Sequence, residues 1–483
     1  MVEVRVSGGT VRGASEAGMA VFRGIPFAAP PVGAARFAAP QPVVAWDGVR
    51  EALAFGPPPP QASVFGMDGV GVAGDEWLTV NVWSPDVAGD LPVMVWIQGG
   101  GYTIGTSGLA EYDGARLAAD GVVVVTFNYR VGIEGFALIE GAPANRGLLD
   151  QVAALEWVSA NIRAFGGDPA RVTIFGESAG GGSVAALLAM PRAKGLFHRA
   201  IASSVPVMFF APDLAADIAV ACAAELGLRP TVADLSTVEP EMLTVAGDEV
   251  MAKIGQFPQW GQAAHKNVPF APVVDGEVLP MTPWEALESG AGREVELIAG
   301  HTRDEQRLFT VLEGLLGQVT AEQAAWALEV FAPGLAYPAL PPEELFETVC
   351  SDWLFRMPSL HLAEAQIAGG GRAHVFEVTW APSGPFGACH GLDVPLVFGN
   401  LGVGGTAAIL GEVTAETEEV SARMRTAWSG FAIHGDPWPA YDTTNRLTRV
   451  FGVEDEVTAY PEEVSRMIWR AHAFRQISLV PQR

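Results

Sequence analysis

The pentapeptide Gly176-Glu177-Ser178-Ala179-Gly180 constrains this chain more than any other segment. It follows Val172–Phe175, which reads as a strand, and precedes a small-residue stretch in which Ala185–Ala189 favours helix. A strand that turns sharply into a helix needs small residues on both sides, so that the backbone can reverse without clashes. Such a turn lifts the serine hydroxyl above the sheet edge, beside the free N–H groups and positive dipole end of the helix. With 56 glycines in the chain the bare pattern is weak, and a passive serine in a glycine-rich turn is the competing reading. The strand before it and the helix after it favour an exposed serine.

The neighbouring segments alternate in period. Val93–Ile97 is a short apolar run ending in glycines, and Val122–Phe127 is apolar on both faces, as in a buried parallel strand. Leu148–Phe165 has helical apolar spacing and stops at Gly166-Gly167-Asp168-Pro169. Further strands are expected at Glu296–Ala299 and His374–Thr379. This β-α-β alternation predicts an α/β protein with a mostly parallel sheet covered by helices on both faces. No repeat or linker marks a boundary, and the Pro57–Pro60 run reads as a rigid loop, so one domain over residues 1–483 is expected.

Upstream of the serine, Trp96-Ile97-Gln98-Gly99-Gly100-Gly101-Tyr102 follows a strand. Three consecutive glycines let the main chain approach a small molecule and aim N–H groups at one point. In isolation a plain glycine turn explains them equally well. Ahead of a serine turn of this kind, the second half of an oxyanion-binding site belongs there.

Composition narrows the partners. Asp and Glu outnumber Lys and Arg by 55 to 29, a formal charge of −26, which disfavours nucleic acid and anionic lipid. Acidity that keeps an apolar-rich chain in solution is the plain explanation, and attraction of cationic substrates is the other. Three cysteines, Cys222, Cys350 and Cys389, make no disulfide framework. The start Met-Val-Glu-Val-Arg-Val lacks the features of a secretory leader, and no stretch reaches the length of a membrane span. A cytoplasmic location is expected, with no membrane or nucleic-acid partner.

Taken together, the residues resemble the type-B carboxylesterase family, which includes cholinesterases and bacterial p-nitrobenzyl esterase-like enzymes. The resemblance runs over nearly the whole chain. It begins with Phe22-Arg23-Gly24-Ile25-Pro26-Phe27, Pro30-Pro31-Val32-Gly33 and Arg36-Phe37, and continues through Leu78–Pro85 and Asn128-Tyr129-Arg130-Val131-Gly132. Asp150-Gln151, Asn161-Ile162 and Phe165-Gly166-Gly167-Asp168-Pro169 follow, just before the serine turn. The resemblance implies an α/β-hydrolase fold with large insertions forming a substrate gorge, and hydrolysis of small-molecule carboxylic esters without metal or cofactor. It implies Ser178 as nucleophile, Glu305 of Asp304-Glu305 as acid, and His390 of Cys389-His390-Gly391-Leu392-Asp393 as base. The oxyanion donors it implies are Gly100, Gly101 and Ala179. Ser178, Glu305, His390 is also the chain order this fold requires. From the residues alone, His301 is a rival base and Asp304 a rival acid. The same relay would serve carbamate or amide hydrolysis, and a cholinesterase-like module that only binds is a third reading.

Departures from the family pattern carry information. Gln98 stands where His is common, and its amide is expected to hydrogen-bond the glycine loop. Pro59 and Trp77 occupy the positions of a common disulfide, which is therefore absent. Ser204 in Ser203-Ser204-Val205 is expected to steady Glu305, and Glu177 to support the site from beside the nucleophile. Asp75 is expected to pair with Arg36. Tyr102, Met208, Phe209, Phe210, Trp260 and Phe309 are candidates for an apolar pocket suited to medium-chain or aromatic esters, although large apolar residues are more often core. A monomer or homodimer is expected.

Overall fold

Runs that are β-branched and apolar on both faces are stable only where both faces are covered. A computed structural model describes residues 1–62 and 74–481. Within them, these runs join one mixed sheet. Its strands are β1 (Val2–Val6), β2 (Gly9–Glu16), β3 (Met19–Pro26), β4 (Val49–Glu51), β5 (Thr79–Ser84), β6 (Leu91–Ile97) and β7 (Val123–Phe127). They continue with β8 (Gly167–Glu177), β9 (Arg199–Ser203), β10 (Glu296–Thr302), β11 (Arg372–Val378), β12 (Leu447–Phe451) and β13 (Asp455–Ala459). The order across the sheet is β1-β2-β3-β5-β7-β6-β8-β9-β10-β11-β12-β13, with β4 beside β2. From β7 to β12 every neighbouring pair is parallel. The remaining neighbours in that order are antiparallel, and β4 lies parallel to β2.

Alternating side chains of the central strands enter two separate cores. Val93, Val95 and Ile97 face one, while Met94 and Trp96 face the other. The helices Arg146–Asn161 and Ala179–Ala189 cover the first face, and Ala415–His434 covers the second. This is the α/β-hydrolase architecture. Two long excursions interrupt it, residues 204–295 between β9 and β10, and residues 303–371 between β10 and β11.

The expected helix from Leu148 is an α-helix over Arg146–Asn161 that tightens into a 3₁₀ turn at Ile162–Phe165. It ends at Gly166, whose φ of 77° favours glycine and where a Cβ would lie 1.9 Å from the Asp86 carbonyl oxygen. Among the described residues no helix is long and apolar enough to cross a membrane. Cys222, Cys350 and Cys389 are buried and unpaired.

Two buried ion pairs hold segments that carry the family resemblance. Arg130 and Asp150, both without solvent exposure, meet at 2.7 Å and fasten the segment after β7 to the helix Arg146–Asn161. Arg36 pairs with Glu134 at 2.6 Å, not with the exposed Asp75. The physical reason is burial: Arg36 and Glu134 are both withdrawn from water, where an ion pair is held far more strongly than at the surface.

Candidate active site

The site forms where β8 ends. Ser178 has φ 59° and ψ −126°, outside the regions that non-glycine residues favour, and the helix Ala179–Ala189 starts at the next residue. Close packing imposes this turn. A Cβ on Gly180 would lie 2.0 Å from the Ile97 carbonyl oxygen, and one on Gly176 would lie 2.6 Å from Gly180 backbone. Only glycine at both places lets the helix start against β6 and β8.

Two loops bring the remaining groups. Thr302 ends β10, and Glu305 follows three residues later. Its Oε1 accepts from the Thr302 N–H at 2.9 Å and from Ser204 Oγ at 2.6 Å. Its Oε2 meets His390 Nδ1 at 2.6 Å, and His390 Nε2 meets Ser178 Oγ at 2.8 Å. Ser178, His390 and Glu305 therefore form one continuous hydrogen-bonded chain. Glu177 stands on the other side of the ring, with Oε1 3.2 Å from Nε2.

Burial alone would depress the His390 imidazolium, but the charges of Glu177 and Glu305 outweigh it and hold this histidine above its ordinary range. Burial likewise works to raise Glu305. The His390 charge and the bonds from His390 and Ser204 win, and its carboxyl stays low. Glu177 has fewer partners, so burial pushes it well up.

The rivals lie elsewhere. His301 Nε2 meets the Tyr460 hydroxyl at 2.8 Å, and burial lowers this imidazole to about 4. Asp304 accepts the Ala388 N–H at 2.9 Å, while the Asp304 N–H donates to the Ala388 carbonyl at 2.9 Å. It clasps the His390 loop to the Glu305 loop.

The glycine loop faces Ser178. Gly100 has φ 110° and Gly101 φ 60°, and a Cβ on Gly100 would lie 2.2 Å from the Ile104 carbonyl oxygen. The Tyr129 hydroxyl donates to the Gln98 carbonyl at 2.7 Å and braces the loop from behind. The Gln98 side chain was expected to do part of this. It is fully buried, and among the described residues its amide makes no hydrogen bond; the amide of Gln61 instead bonds both the carbonyl and the N–H of Gly105, at 2.9 and 2.7 Å.

Gly100, Gly101, Ser178, Ala179 and His390 line one cavity of about 550 Å³. Tyr102, Met208 and Phe309 are in its wall. Phe209, Phe210 and Trp260 are not. Phe209 packs edge-on against Trp284 at 5.5 Å, and Phe210 is buried where its main chain bridges to Val273 and Ile477. Trp260 stacks on Phe257 at 4.1 Å and donates to Asp217 at 2.7 Å. The Phe209 N–H donates to the Val207 carbonyl at 2.9 Å, a tight turn centred on Met208; Met208 lines the cavity while Phe209 packs on Trp284.

Phe355 was missed. It lies in a π-helical turn at Asp352–Arg356 and stacks on the His390 ring at 4.1 Å. A widened turn leaves no reliable mark in sequence periodicity. Among the described residues no three His, Cys, Asp or Glu side chains gather in a way that could hold a metal ion.

Residues 1–325 match the family model described as the carboxylesterase family. The chain belongs to the carboxylesterase family. It is 38% identical to the para-nitrobenzyl esterase of Bacillus subtilis (strain 168), over 95% of this chain and 96% of that protein. Identity to the fumonisin B1 esterase of Sphingopyxis macrogoltabida is 35%, over 91% of this chain and 84% of that one. A solved PNB esterase structure superposes with a TM-score of 0.86 at 36% identity, covering 99% of both chains. This carboxylesterase is accordingly a hydrolase of carboxylic esters.

Proposed function

We propose that the carboxylesterase works through an acyl-enzyme on Ser178. The supporting observation is the unbroken chain Ser178 Oγ–His390–Glu305, with links of 2.8 and 2.6 Å, opening onto a mainly apolar cavity. His390 takes the Ser178 proton as Oγ attacks the ester carbonyl. Glu305 holds the imidazole in the tautomer whose Nε2 can accept, and stabilises the cation that results. The N–H groups of Gly100, Gly101 and Ala179 receive the oxyanion, each worth about 2.7–4 kcal/mol in such sites. His390 then protonates the departing alcohol, and water releases the acid by the reverse sequence. Ser204 and Asp304 position these groups without touching substrate.

The apolar walls favour medium-chain or aromatic esters over acetate esters of charged alcohols. In this reading the whole chain acts as one catalytic unit in the cytoplasm. Treatment with diethyl 4-nitrophenyl phosphate tests the assignment. The expected result is loss of esterase activity in step with a phosphoryl adduct on the Ser178 peptide. Full activity after complete labelling, or an adduct on another serine, would remove it.

Glu177 gives a pH prediction. The rate requires neutral His390, so kcat/KM rises with pH as the imidazolium loses its proton. Glu177 stabilises that imidazolium and holds the rise at higher pH. Glu177→Gln removes the charge, lowers the His390 pKa, and should move the rising limb to lower pH by about one unit. A pH profile of kcat/KM reads this directly, and an unmoved limb would contradict it.

A further inference from the structure

Lysine is scarce in this chain: only Lys194, Lys253 and Lys266 are present. Lys194 is exposed. Lys253 bridges Glu225 at 2.9 Å and Glu249 at 3.2 Å. Lys266 has a different setting, half-buried in the wall of the cavity that opens on Ser178. Its Nζ donates to the side-chain oxygen of Gln306 at 2.8 Å and stands 4.8 Å from the Phe331 ring centroid. Among the described residues no carboxylate oxygen lies within 4.0 Å of it.

A partly desolvated ammonium is costly unless its water is replaced. One amide oxygen, the Cys350 thiol and a ring face replace only part of it. An ammonium has three donors; Gln306 takes one and the Cys350 thiol lies beside it for a second, which leaves one for cavity contents. Three carboxylates also line the cavity. Glu177 is engaged with His390 at 3.2 Å, and Glu111 and Glu313 are beyond ion-pair distance of Lys266. In a chain of formal charge −26, a cation kept apart from them is a local positive point on a cavity wall that otherwise carries carboxylates. Gln306 directly follows Glu305, which puts the ammonium on the wall that carries the relay.

We propose that Lys266 is an anion subsite, and that this carboxylesterase takes esters bearing a carboxylate on the part of the molecule that reaches the Gln306–Lys266 wall. The inference rests on the reading of Ser178 as nucleophile. It makes substrate charge a selected feature in a pocket that is otherwise mainly apolar.

Two matched pairs test it. 4-Nitrophenyl hemiglutarate against 4-nitrophenyl valerate places the carboxylate on the acyl side, and 4-carboxyphenyl butyrate against phenyl butyrate places it on the alcohol side. The readout is the anionic-to-neutral ratio of kcat/KM in wild type, Lys266→Met and Lys266→Arg. Lys266→Met is expected to lower that ratio about 10- to 100-fold for one pair, mostly through KM, the size of a charged hydrogen bond. Lys266→Arg should retain more of it, since the charge remains. A ratio unchanged in Lys266→Met for both pairs, or a uniform loss across charged and neutral esters, would overturn the proposal. If wild type cleaved none of the four esters, the Ser178 reading would fall and this one with it; cleavage with an unchanged ratio sinks this one alone.

Discussion

Ser178→Ala is expected to lower kcat for a 4-nitrophenyl ester by at least about 10⁴-fold while KM changes little. The change deletes only Oγ, the atom 2.8 Å from His390 Nε2. Alanine meets the same backbone penalty as serine at φ 59°, so the turn and the glycine contacts around it persist. What remains is whatever the backbone donors and the cavity contribute to attack by water. Steady-state kinetics on purified variant and wild type, with thermal unfolding midpoints to show equal folding, check this. A variant keeping a tenth of the wild-type kcat would place the nucleophile elsewhere.

Glu305→Gln is expected to cost about 10⁴-fold in kcat with the fold intact, because it attacks orientation rather than nucleophilicity. The carboxylate is fully buried and receives Ser204, Thr302 and His390 together. A glutamine of the same shape keeps one carbonyl oxygen for these donors, and its NH₂ presented to Nδ1 would favour the imidazole tautomer with the proton on Nε2. That tautomer cannot accept from Ser178. The imidazolium would also lose a stabilising charge, so the rising limb of the pH profile should shift to lower pH as activity falls. Equal kcat in variant and wild type would show that Glu305 is structural.

The parts of this molecule that were legible in its sequence are those where covalent geometry restricts the choice. The serine turn demands glycine at 176 and 180, and the central strands must be apolar on both faces; each leaves a mark in a few adjacent residues. Bringing Glu305 and His390 to Ser178 is a different matter. They are 85 residues apart, and His390 lies 212 residues from the serine. Chain order and family resemblance pointed to them, whereas local chemistry left His301 and Asp304 open. The ion pair of Arg36 went to Glu134 because both are buried, a property that sequence separation hides. The pocket was least legible. Met208 and Phe209 are adjacent at a tight turn, and only one of them meets the cavity.

The groups that hydrogen-bond around Ser178 sit at or just beyond the ends of β6, β8, β9 and β10 and on the His390 loop, with Ser204 and Glu305 at the roots of the excursions 204–295 and 303–371, while Met208, Lys266, Phe309 and Phe355 come from further along those excursions. Beyond their first few residues, then, the excursions shape the cavity without entering the hydrogen-bonded relay. Insertions or substitutions in the two excursions can reshape what is admitted while the bond-breaking apparatus stays in register, so a single scaffold can be retuned to new molecules by changes confined to its periphery.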